Sequence, residues 1–111
     1  MNKSLQKAIN KTFLQLIDDL KDKKEIEDLF RDLMGEKGYQ DLVKKLAIVY
    51  WLRKKRPIDV IKNNLGVSDK EIKEVDKLMT KGGIKLAIKY MEAEEFANTW
   101  VEKFKKLGTR H

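Results

Sequence analysis

One proline, Pro57, is the only residue of its kind in this chain, and glycines number six. Between these breakers, apolar residues recur every three or four positions, the spacing of one face of an α-helix. Leu5, Ile9, Phe13, Leu16, Ile17 and Leu20 form one such stripe. Ile26, Leu29, Phe30, Leu33 and Met34 form a second. A sandwich of short strands needs alternation and frequent turn signals, which these runs lack. The expected fold class is all-α, and 111 residues suit a single helical domain, 1–111.

The spacing predicts a helix over 4–20, with Ser4 as its cap. A second helix is expected from Asp22, where Asp22 and Glu25 have the spacing of a capping box. Gly35 and Gly38 bracket a short turn, and a third helix runs from Tyr39 to about Lys55. Its segment Leu46–Leu52, LAIVYWL, is apolar all round, and a helix of that kind is buried on every side. One small monomer has difficulty wrapping it. A homodimer with this helix in a shared core would do so; the alternative leaves Tyr50 or Trp51 half-exposed with a wet ring edge.

The run Arg53-Lys54-Lys55-Arg56 then breaks the pattern, and Pro57 suits the first turn of the next helix. Two short helices are expected, from Pro57 to Leu65 and from Ser68 to about Thr80, with Gly82-Gly83 ending the second. Ile61, Leu65, Val67, Ile72 and Val75 are their apolar positions, and Gly66 sits at the sharp turn. Ser68 and Glu71 make a second capping box. This is the pattern of a helix-turn-helix over 57–80, whose second helix lies in the DNA major groove. The alternative is an ordinary helical hairpin within a bundle. Ile84, Ala87, Ile88 and Met91 carry a further helix. A C-terminal extension, 92–108, bears the stripe Phe96, Ala97, Trp100, Val101, Phe104 and Leu107, expected to be an ordinary buried amphipathic face.

Composition narrows the chemistry. There is no cysteine, and the one histidine is His111. Disulfides, Cys- or His-based metal sites and Ser-His or Cys-His catalysis are therefore excluded, and no catalytic residue, metal site or cofactor is expected. No apolar run approaches the ~20 residues that span a membrane, and the N-terminus lacks a secretory signal's apolar core. The expected location is cytoplasmic. The net charge of +7 is unevenly placed: Asp18 to Glu36 holds eight acids against four bases, or −4, leaving +11 on the rest. A local basic excess suits a phosphate-rich partner or an anionic membrane; the alternative is a lysine-rich solvated surface.

The runs EIEDLFRDLM, LVKKLAIVYWL, IKNNLGVSDKEIKEV and KGGIKLAI resemble the Trp repressor superfamily over roughly residues 10–91. The resemblance is nearest to repressor-like bacterial proteins without a tryptophan-sensing role. It implies an all-helical, intertwined homodimer that binds double-stranded DNA through paired helix-turn-helix units. It also implies that the Asp22–Met34 helix joins the dimer interface. The family's recognition helix reads something like Ser-Thr-x-Thr-Ile-Ser-Arg-Val; here it is Ser68-Asp69-Lys70-Glu71-Ile72-Lys73-Glu74-Val75. The tryptophan-binding positions depart too. Gly35 stands in place of a threonine, Lys45 in place of one ligand arginine and Glu74 in place of the other. No binding of L-tryptophan is expected.

On this reading Arg53, Lys54, Lys55, Arg56 and Lys62 position the protein on phosphates. Ser68 meets a phosphate at the helix start, and Lys70, Lys73 and Lys77 reach bases or phosphates. Between Ser68 and Lys77 there are nonetheless four acids and three lysines, a net −1. Acids near DNA phosphates weaken binding. The alternative function is therefore a protein-interaction module on a repurposed fold, without DNA binding. An enzyme is a distant third, with no nucleophile–base pair or phosphate loop visible.

Overall fold

The computed structural model describes residues 1–93, so the C-terminal extension with Phe96, Trp100 and Phe104 lies outside the described residues. Among the described residues the chain is all-α: α1 Lys3–Asp19, α2 Lys23–Arg53, α3 Ile58–Leu65, α4 Asp69–Asp76 and α5 Gly82–Ala93. No described helix is long and apolar enough to cross a membrane. Two compact units are distinguished, one Met1–Asp41, the other beginning at Leu42.

In the first unit, α1 starts one residue ahead of the expected cap. Asn2, not Ser4, closes its N-terminus, with Oδ1 accepting from the backbone N–H of Ser4 at 2.8 Å and of Leu5 at 3.1 Å. Asp22 likewise bonds the backbone N–H of Lys24 at 2.9 Å rather than pairing with Glu25. The chain then breaks once, at Gly35, where φ is 77° and ψ is 162°. Gly38 does not share in the turn; it is helical, and Lys37 and Asp41 already pair one turn apart at 3.0 Å. Arg31 clamps the break. It bonds Glu27 at 3.0 Å on one side and Glu36 on the other, and lies 4.4 Å from the centre of the Tyr39 ring. These bonds raise the Arg31 pKa and lower that of Glu36. Phe13 and Phe30 meet edge to face at 6.4 Å. No side chain in this unit is buried.

The second unit holds the core. Ile48, Val49, Tyr50 and Trp51 of α2 cluster with Ile61 of α3, Val67 of the turn, Ile72 and Val75 of α4, and Ile88 and Met91 of α5. Tyr50 is 1% exposed and Trp51 8%. Ala47 to Trp51 are thus covered within a single chain, while Leu46, at the head of the run, stays 36% exposed. Short α3, α4 and α5 supply three surfaces around one α2 segment, enough to close over it.

The α3–α4 connection follows local rules. Pro57 stands just before α3 at φ −58°, and its carbonyl accepts from Val60 and Ile61. Gly66 ends α3 in the left-handed region at φ 64°, with its N–H on the Lys62 carbonyl. Ser68 then opens α4 through a complete capping box. Beyond α4 the expected boundary moves. The helix stops at Asp76, because Leu78, Met79 and Lys81 each donate to the carbonyl three residues back and tighten the chain into successive turns. Gly82-Gly83 opens α5 instead of closing α4.

Candidate nucleic-acid interface

Helix α4 is acidic in composition but not on its outward face. At about 100° per residue, Lys70 and Lys77 fall directly opposite the buried pair Ile72 and Val75. Lys73 lies to one side of that ridge and Glu74 to the other, all four exposed. Three lysines against one glutamate give this face +2. The remaining acids sit on the flanks: Asp69 and Asp76 along one, Glu71 along the other.

Two of those flanking acids are already engaged. Asp69 Oδ2 accepts from Lys62 Nζ at 3.1 Å, tying the start of α4 to α3. Glu71 Oε1 accepts from the Ser68 hydroxyl at 3.2 Å and from its N–H at 3.4 Å, while Ser68 Oγ accepts from the Glu71 N–H at 3.2 Å. The sequence singles out Ser68 both as cap and as phosphate contact; the structure places its hydroxyl in the cap. Lys62, expected on phosphate, is half-buried and paired with Asp69.

The basic run is divided. Lys54 Nζ bonds Glu92 on α5 at 2.7 Å and lies 5.5 Å from the centre of the Tyr50 ring. Arg53 Nε approaches the same carboxylate at 3.8 Å. The hydrogen bond from Lys54, with the nearby charges of Lys54 and Arg53, lowers the Glu92 pKa. Lys55 is exposed and has a positive φ of 57°, and Arg56 is half-buried with its N–H on the Trp51 carbonyl. The four cations therefore do not form one uniform patch. Lys55 is exposed and forms no ion pair among the described residues, while Arg53 and Lys54 share an acid.

Sequence reasoning missed the α5 side of this region. Arg53, Lys85, Lys89 and Glu92 rim a shallow concavity of about 590 Å³ over Met79 and Ile88. The four-residue spacing of Lys85 and Lys89 was a signal for a basic ridge on α5. Nothing local pointed to Glu92, which meets Lys54 from 38 residues away.

Residues 9–95 match the family model described as Trp repressor protein. No curated protein and no solved structure matches the chain.

Proposed function

Since the chain belongs to the Trp repressor family, we propose that it is a DNA-binding transcriptional regulator acting as a homodimer. Its α3–turn–α4 pair serves as the helix-turn-helix, with α4 entering the major groove. The observation that carries this reading is the sorting of charge on α4, which turns a helix of net −1 into one with a basic outward face. Lys70, Lys73 and Lys77 meet the DNA. Lys55, with Arg53, Lys54 and Arg56 beside it, supplies phosphate contacts at the edge of the motif. The two units work as one domain, the first supplying the contact with the partner copy.

L-Tryptophan is not the co-repressor on this reading. Glu74, standing where the family has a ligand arginine, would repel a carboxylate. Gly35, standing where it has a threonine, holds a backbone conformation essentially restricted to glycine. A threonine side chain is thus absent from that position and is disfavoured by the backbone itself.

Titration of duplex DNA at several salt concentrations, with and without L-tryptophan, tests the proposal. Affinity should fall steeply with salt and be the same with and without the amino acid. Absence of binding at low salt would refute DNA recognition, and tightening by tryptophan would refute the effector reading alone.

A further inference from the structure

We propose that Lys70 and Lys73 read guanine, so that paired guanines mark each half of the DNA site. This rests on the DNA-binding reading above and adds base identity to it. Neither lysine forms an ion pair among the described residues, in contrast to Lys62 and Lys54. Both are exposed on the outward face of α4, and they are its second and fifth residues. Lys70 lies in the first turn of α4, where a recognition helix meets base edges, and Lys73 lies one turn further along the same outward face. Lys77, beyond the last helical residue, is placed for the backbone instead.

The chemistry of the ammonium then selects the base. Lysine offers donors and no acceptor. In the major groove guanine presents two acceptors side by side, O6 and N7. Adenine sets a donor beside its N7, cytosine presents a donor, and thymine offers one acceptor beside a methyl group. Guanine is the only base that gives the ammonium two acceptors and no opposing donor. Side chains three apart on a helix have Cβ atoms about 5–6 Å apart, against a rise of ~3.4 Å per base pair. The two guanines therefore fall on adjacent or next-but-one pairs. Glu74 is the acid of this face. Its carboxylate accepts from cytosine N4, the donor presented by the other base of a G·C pair, so it adds to the preference. The Lys62–Asp69 pair offsets the charge of the acid that flanks Lys70.

The test is selection of binding sites by the full chain from a random duplex library, followed by titrations of Lys70→Gln and Lys73→Gln. Each variant is measured against the selected duplex and a scrambled one, at several salt concentrations. The expected site carries two guanines separated by no more than one base pair in each half. Each variant should lose roughly ten-fold on the selected duplex and little on the scrambled one. Lys70→Arg, which keeps the donors, should retain the guanine preference. Selected sites without paired guanines overturn the inference. So does an equal loss on both duplexes with a salt slope reduced by about one per lysine, the mark of a phosphate contact. In either case DNA binding itself stands. Failure of the unaltered chain to bind any duplex at low salt removes both readings together.

Discussion

Two glycines with positive φ do different jobs. Gly66 adopts the left-handed helical conformation that turns the chain from α3 toward α4. Gly35, at φ 77° and ψ 162°, lies where residues with a side chain are rarely found. A Cβ at either position would meet nothing within 4 Å, so the cost of substitution is conformational and not a clash. Gly66→Ala should lower the unfolding free energy by ~1 kcal/mol. Gly35→Ala should lower it by roughly 1–3 kcal/mol. Denaturant unfolding of both variants measures the difference, and an unchanged midpoint for Gly35→Ala would contradict this account. Glu92 gives a residue-scale dependence on pH. Its pKa is lowered in the folded chain, chiefly by the Lys54 hydrogen bond. Its contribution is therefore present above the unfolded carboxylate pKa and is lost as pH falls through the lower folded value. The stability difference between the native chain and Glu92→Gln should be small at neutral pH and should vanish once the pH has fallen below the lowered folded value. A difference that grows on acidification would mean that the pairing acts in the opposite direction.

At the scale of elements, what the sequence disclosed depended on how local the governing interaction was. The start of α4 was legible because Ser68 and Glu71, three apart, satisfy each other's backbone N–H. The end of α3 was legible because Gly66 alone suits the left-handed turn. The break after Met34 was found, yet Gly38 was wrongly assigned to it, since a glycine in sequence looks the same whether its φ is positive or helical. The end of α4 was missed because turns with bonds to the third residue back leave no breaker behind. The ion pairs Lys62–Asp69 and Lys54–Glu92 were not legible, because they join side chains that only the folded second unit brings together. For the candidate site, the residue types were readable but their division was not. Which lysines stay open and which are held by acids depends on helix phase and on contacts between helices. The capping box carries its own prediction. Ser68→Ala removes one acceptor and leaves the Glu71 N–H uncapped, and should cost about 1 kcal/mol. Thermal or denaturant unfolding reads this directly; a neutral outcome would mean that the cap adds nothing beyond the packing of Ile72 and Val75.

At the scale of the whole molecule, the exposed stripe of α1 is the surface that best suits a dimer contact. The apolar run of α2 first suggested a shared core, but Tyr50 and Trp51 are covered by their own chain. Among the described residues a continuous uncovered apolar stripe lies on α1, where Leu5 is 53% exposed and Ile9 50%, with Phe13 and Leu16 continuing it. Leu33 and Met34, ahead of the Gly35 break, are exposed as well. A helical unit of this size with no buried side chain has little to oppose the entropy of its chain, and units near ~40 residues usually draw stability from staples or association. A second copy offers the same stripe in return, as a two-fold interface requires. The expected mass in solution is therefore twice the 13.1 kDa of the chain, and the melting temperature should rise with protein concentration. Replacing Leu5 and Ile9 together with lysine should give a monomer, abolish that concentration dependence and reduce helix content through the loss of α1. Light scattering and circular dichroism across a concentration series decide it. A native chain that stays monomeric at high micromolar concentration, or a double variant that still sediments as a dimer, would place the interface elsewhere or remove it.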